Sequence, residues 1–157
     1  MTTALVLRDL GLGDLLVAVP ALRLLRRALP DHEIALVAPA ALTPLVERIQ
    51  AVDTHVRDLL SYSSEDHART DVAVNLHGRG PKSHARLDAV APRRRVGHAA
   101  PGWDGPAWTD DPARPERRRW CDLLAAAGHV DAATAAAGAD DLGLPVTRLR
   151  PPAAAGP

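Results

Sequence analysis

Leu5-Val6-Leu7-Arg8-Asp9-Leu10-Gly11-Leu12-Gly13-Asp14-Leu15-Leu16 is the stretch whose reading decides the fold. An apolar run, Ala4 to Leu7, meets a short turn with two glycines, and an acid then opens a long apolar helical pattern from Leu15 to Leu29. A strand, a glycine turn and a helix start, in that order, mark the place where open α/β sheets put their ligands. This reading sets Asp14 at the helix N-cap, at the mouth of a crevice above the strand ends.

Outward from there, short apolar runs alternate with helical patterns. The first strand covers about Ala4 to Arg8, and Pro30-Asp31 ends the helix that follows, which Pro20 should kink. Ile34 to Ala38 reads as a second strand, Ala40 to Gln50 as a short helix, and Val52 to Leu59 as a third strand by its alternation. Asp71 to Leu76 is a fourth strand, ending in His77-Gly78-Arg79-Gly80-Pro81. Lys82 to Val90 follows as a helix and Arg95 to Gly97 as a short fifth strand. Residues 98–112 form a loop, and Arg114 to Ala127 a helix that Gly128 stops. Beyond His129 the pattern dissolves, and residues 146–157 have the Pro/Ala-rich composition of a linker. Alternation of this kind implies an α/β domain over residues 1–145, a Rossmann-like parallel sheet with helices on both faces. Right-handed crossovers then bring the Gly11–Asp14 turn, Ala38-Pro39 and the His77–Pro81 turn to one edge of the sheet.

Composition narrows the function. The 157 residues carry nineteen basic and nineteen acidic side chains and no formal net charge, which argues against a whole-molecule nucleic-acid binder. Lys82 is the only lysine; with abundant Ala and Pro and no Phe, the chain has the look of a GC-rich bacterial coding bias. A single cysteine, Cys121, rules out an intramolecular disulfide and a cysteine-based zinc site. Arg8 and Asp9 interrupt what a signal peptide needs as an unbroken apolar core, and no run reaches the ~20 apolar residues of a membrane span. The expected location is cytoplasmic, with a peripheral place at the inner face of the cell membrane as a further option.

Several motifs bear on chemistry. Gly11-Leu12-Gly13 matches a dinucleotide fingerprint poorly: the third glycine position holds Leu16, and the second strand ends Ala38-Pro39-Ala40 with no acid for a ribose. Asp14 has two competing readings, a cap for the helix N–H groups or a carboxylate that accepts a proton from a bound hydroxyl. The segment His77 to His98 holds Arg79, Lys82, Arg86, Arg93, Arg94 and Arg95 against one acid, Asp88. Gly78 and Gly80 let backbone N–H groups approach a phosphate, Ser83 adds a hydroxyl, and the following helix start favours negative charge. The alternative is a solvated basic helix face, and Arg93–Arg95 fit that reading better. The spacing of His77 and His84 makes no metal-ligand set. No Gly-x-Ser-x-Gly elbow occurs, Cys121 reads as a core residue, and Trp103 and Trp108 are either a stacking surface for a sugar or core plugs.

These motifs converge. Ala4 to Pro30, with its Gly-Asp turn and helical proline, resembles the opening of heptosyltransferase-type enzymes of glycosyltransferase family 9. Asp71-Val-Ala-Val-Asn75-Leu-His77-Gly-Arg-Gly-Pro-Lys-Ser83, followed by Pro92-Arg-Arg-Arg-Val-Gly97, resembles that family's second block. Arg118 to Gly128 resembles the helix that ends its N-terminal half. The resemblance covers about residues 4–145. It implies a GT-B architecture, with an N-terminal acceptor domain facing a C-terminal donor domain across a cleft, and inverting transfer without a metal or resident cofactor. Asp14 occupies the position of the family's proposed general base. Gly11, Gly13, His77, Gly78, Arg79, Lys82, Ser83 and His84 would face an anionic glycan or lipid-linked acceptor. The nucleotide-sugar co-substrate would be bound mainly by the complementary donor domain. The resemblance thus leads one to expect an acceptor half with negligible transfer by itself. The alternative is a non-catalytic Rossmann module that binds an anion or nucleotide.

Overall fold

A computed structural model describes residues 1–145; the expected linker, 146–157, lies outside the described residues. Five parallel strands form one sheet: β1 (Thr3–Leu7), β2 (Glu33–Val37), β3 (Thr54–Val56), β4 (Thr70–Asn75) and β5 (Arg94–Val96), in the order β3-β2-β1-β4-β5. The fold is therefore the Rossmann-like α/β sheet expected from the alternation of elements. Its strand order reverses between β1 and β4, so the C-terminal ends of these two strands form the crevice where such sheets take ligands.

Period-two side-chain alternation splits the sheet residues cleanly between two layers. Ala4, Val6, Ile34, Leu36, Val72 and Val74 face one side. There they pack against α1 (Leu12–Ala28), α2 (Thr43–Ile49), α5 (Glu116–Ala126) and α6 (Ala132–Gly138). Leu5, Leu7, Ala35, Val37 and Ala73 face the other side, under Leu87 of α4 (Lys82–Asp88), Val90, Trp103 and the turn carrying Leu59. The first layer is thick and the second thin. α3 (Ser64–Arg69) lies in the connection that returns from β3 to β4, and none of its residues is buried.

Most expected elements are present, with differences that have local causes. α1 begins at Leu12, three residues before the expected start, and continues through Pro20 as one helix. Its N-cap is Gly11, in extended conformation, whereas Asp14 is the third helical residue. β3 keeps only three of the eight residues expected, because its partner β2 offers pairing only along Ala35–Val37. α6 was not expected. Asp131 starts it by accepting from the Thr134 N–H at 2.7 Å, and Gly138 then packs close to the Leu24 side chain of α1. Gly128, at φ +77°, ends α5 as expected.

The loop of residues 98–112 is held down by aromatic contacts. Trp103 is buried, stacks on His84 at 4.2 Å between ring centroids, and donates through Nε1 to Asp88 at 3.2 Å. His98 meets Trp108 edge-on at 4.8 Å and Trp120 at 6.0 Å. Trp103 is a core plug, whereas Trp108 is half-buried and donates its Nε1 N–H to the Asp110 carboxylate at 2.8 Å. Burial pushes the imidazole pKa values of His84 and His98 down; for His84 the nearby Asp88 opposes the shift, and for His98 the Pro106 carbonyl does.

A group whose folded pKa lies below its unfolded value of about 6.5 lends stability that is complete above that value and lost as pH falls through the lowered one. The unfolding midpoint should therefore drop as pH is lowered from about 6.5. His84→Gln and His98→Gln should each flatten that slope, as read by thermal denaturation across a pH series. A slope unchanged in both variants would show that these two imidazoles are not its source.

Candidate active site at the strand-order reversal

The crevice is organised by one side chain. Arg8 follows β1 directly and is fully buried. Its Nε donates to the Asp14 carbonyl at 2.8 Å, Nη1 to the Leu76 carbonyl at 2.5 Å, and Nη2 to a Glu116 carboxylate oxygen at 3.0 Å. The Asp14 carboxylate lies 3.7 Å from the same Nη2, and the guanidinium sits 5.1 Å from the centre of the Trp120 ring. One cation thus ties the start of α1, the end of β4 and the start of α5 to the end of β1. A buried guanidinium must have its N–H groups answered, and these partners answer them.

Asp14 is held but accessible. Its Oδ2 accepts from the Gly11 N–H at 3.2 Å, one half of a capping box that glycine, having no side chain, cannot complete from the other end. The carboxylate remains 46% exposed, so a solute in the crevice can reach it. The expected cap is not formed: the Asp14 carboxylate accepts the N–H of the N-cap residue Gly11 and caps none of the first helical N–H groups, and it stays accessible. Expected at the N-cap itself, it sits instead three residues inside, and this frees its second oxygen toward Arg8.

Across the reversal, the turn after β4 is built on Asn75. This buried amide donates from Nδ2 to Ser83 Oγ at 2.9 Å and accepts the His77 N–H at 2.9 Å. The segment His77–Ser83, with Arg86, lines an open cavity of about 460 Å³. Arg79 and Lys82 are exposed there, and Arg86 is partly exposed and donates to Asp9 at 2.7 Å. The Arg79–Asp110 pair is 4.0 Å apart and largely exposed on both sides, so it adds little. Burial, with help from the nearby Arg86 and Arg8, pushes the His77 pKa down, and its Nδ1 is buried without a protein partner among the described residues. The cavity wall is therefore cationic with a neutral imidazole, a setting that suits an anion.

The expected site residues divide. Gly11 and Gly13 lie beside Asp14 at the start of α1, and His77, Gly78, Arg79, Lys82 and Ser83 line the cavity. Ser83 is buried, with its oxygen taken by Asn75. His84 does not line the cavity; it is 2% exposed and stacks on Trp103 in the thin layer. Gly80, at φ +80°, passes so close to the His84 ring that a Cβ would lie 2.1 Å from Nδ1. α4 is only seven residues long, so side-chain charge, more than a helix dipole, sets the potential here. Arg94 and Arg95 are exposed and paired with Asp71 and Asp88, as a solvated basic strand would be. Burial raises the Cys121 thiol to about 11, which fits a core residue. Among the described residues no group of three or more His, Cys, Asp or Glu is placed to hold a metal ion. Arg8, Asn75 and Glu116 were not singled out by the sequence; an arginine flush with the end of an apolar central strand was the one available signal.

Two substitutions probe this construction. Arg8→Met removes the charge but keeps an apolar stem, and should cost roughly 3 kcal/mol by leaving the buried Leu76 carbonyl without its donor and the Glu116 carboxylate without its cation. Denaturant unfolding would read this, and a loss below about 1 kcal/mol would mean that the convergence of elements holds without Arg8. Gly13 has nothing within 4 Å of where a Cβ would stand and has helical backbone. Gly13→Ala should therefore stabilise the fold by about 0.5–1 kcal/mol.

No family model matches the sequence, and no curated protein does. Solved structures do. The chain is similar to the crystal structure of a glycosyl transferase family 9 protein from Veillonella parvula DSM 2008, with a TM-score of 0.61 and 19% identity, over 83% of this chain and 42% of that one. It is also similar to ADP-heptose LPS heptosyltransferase II from E. coli, with a TM-score of 0.51 and 22% identity, over 61% of this chain and 30% of that one. The chain spans less than half the length of either. Its structural neighbours are thus glycosyltransferase family 9 proteins, whose Rossmann-like parallel α/β fold it shares over part of their length.

Proposed function

We propose that this chain is the acceptor-side domain of a heptosyltransferase-like glycosyltransferase, moving a sugar from a nucleotide-sugar donor to an anionic glycan or lipid-linked acceptor. The observation that carries this reading is the juxtaposition at the reversal: the Arg8 guanidinium joins the accessible Asp14 carboxylate to the end of β4, where the cationic cavity opens.

In this reading the acceptor's anionic group rests against Arg79, Lys82 and Arg86. Its hydroxyl oxygen attacks the anomeric carbon of the donor, a new C–O bond forms, and the bond to the nucleoside diphosphate breaks, its electron pair leaving with the diphosphate. The hydroxyl proton passes to Asp14 as the new bond forms, which inverts the anomeric centre in a single displacement. No residue in this scheme calls for a metal or a resident cofactor. The donor's diphosphate would be held mainly by a C-terminal donor domain of the kind the sequence resemblance implies, connected through the 146–157 segment.

Asp14→Asn tests the assignment cleanly. The amide oxygen keeps an acceptor for the Gly11 N–H, so the start of α1 survives while proton acceptance is lost. Combined with a family 9 donor domain, a nucleotide sugar and a phosphorylated glycan, the variant should lose about a hundredfold to ten-thousandfold in kcat. Acceptor affinity should change little. Retention of kcat within threefold or so would remove Asp14 as the base. Tight binding of a free nucleotide by this chain alone, unaffected by Asp14→Asn, would instead favour a stand-alone Rossmann module.

A further inference from the structure

Two carboxylates meet one guanidinium at the mouth of the crevice. Glu116 Oε1 accepts from Arg8 Nη2 at 3.0 Å, and Asp14 Oδ1 stands 3.7 Å from the same nitrogen. The first contact is a hydrogen bond; the second is too long to be one. The two acids are otherwise alike, with side chains 43% and 46% exposed. One buried positive charge therefore faces two negative ones and is engaged by only one of them.

The local structure says which member of the trio is free to move. Arg8 Nε and Nη1 are tied to the Asp14 and Leu76 carbonyls, so the plane of the guanidinium is fixed. Glu116 opens α5, and Trp120, one turn on along the same helix face, has its ring centre 5.1 Å from the guanidinium carbon. A packed helix thus delivers the Glu116 carboxylate to Nη2. The Asp14 carboxylate is the least tethered: its one hydrogen bond among the described residues comes from the Gly11 N–H at 3.2 Å.

A cation already balanced by one carboxylate attracts a second only weakly. Without the Glu116 charge, the one other carboxylate within 4 Å of Arg8 among the described residues is that of Asp14. Asp14 would then be drawn onto Nη2. A carboxylate in a full ion pair with a guanidinium is stabilised as the anion and accepts a proton less readily.

We propose that Glu116 is a positioning residue for the transfer: it balances the Arg8 charge and so keeps the Asp14 carboxylate unpaired and available to the acceptor hydroxyl. Glu116 acts through Arg8 and needs no contact with either substrate. The inference rests on the reading of Asp14 as the group that takes the hydroxyl proton, and adds the residue that keeps it free to do so.

Glu116→Gln tests this. The amide oxygen still accepts from Nη2, so the fold should be retained while the charge is lost. In a crystal structure of the 157-residue variant, Asp14 Oδ1 should close from 3.7 Å to hydrogen-bond distance of Arg8 Nη2. Combined with the donor domain and substrates used for Asp14→Asn, kcat should fall about tenfold to a hundredfold, the loss expected when one charge-assisted hydrogen bond must be given up on the way to the transition state. KM for the acceptor should hold, because the cationic wall is untouched. An Asp14–Arg8 distance that stays at the wild-type value would overturn the inference. So would a closed contact with kcat within about threefold of wild type, since the pairing would then be immaterial to the rate. A change confined to KM would overturn it by making Glu116 an acceptor contact. Transfer that survives Asp14→Asn would refute the reading of Asp14 beneath it, and the crystallographic distance would still report separately whether Glu116 holds Asp14 off the cation.

Discussion

The guanidinium of Arg8 is the constraint around which this molecule closes. It stands at the end of the central strand with no exposure to water, where an unanswered charge costs several kcal/mol. Its partners come from chain segments far apart in sequence: the Asp14 and Leu76 carbonyls and the Glu116 carboxylate. None of these can be withdrawn without leaving a donor unanswered. The sheet order brings β1 beside β4; the cation then fixes how the two following segments approach each other.

The geometry of the crevice follows from that fixation. Asp14 is at once part of the helix start and neighbour of the cation, and Glu116 shares the same Nη2 of the guanidinium. Asp9, the next residue, repeats the theme one step outward by pairing with Arg86 of α4. Acid and base therefore face each other across the opening. The carboxylates cluster near β1 and the remaining cations lie along the turn after β4. An anion entering here meets cationic groups on one wall and an accessible carboxylate on the other.

Much of this was legible along the chain. The step from apolar run to glycine turn to helix, the two further long strands and the helix that Gly128 ends all follow from periodicity, and each is present, the last burying Trp120, Leu123 and Leu124. The cationic turn after β4 was readable as a run of charge opposed by a single acid. Three things were not. The short helix Ala132–Gly138 is almost uniform in alanine and so has no polar face to set a period; only the Asp131–Thr134 spacing marked its start. The role of Arg8 depends on contacts 68 and 108 residues distant, which no local pattern encodes. His84 sat in a basic stretch that looked like surface. Yet Ser83, Leu87 and Val90 share its face at helical spacing, and that stripe turns the imidazole inward onto Trp103.

The lengths of the outer strands have a consequence for life in a crowded solution. An open sheet ends in two rows of backbone donors and acceptors that invite another chain to add a strand. Here both borders are three residues long, and each carries polar or charged side chains: Thr54 bonded to Glu33 and His55 to the Ala38 carbonyl on one side, Arg94 paired with Asp71 and Arg95 with Asp88 on the other. A stranger laid against either border finds too few hydrogen bonds for a stable ladder and must displace an existing pair to make them. The sheet resists aggregation through its margins, while its apolar centre stays covered on both faces.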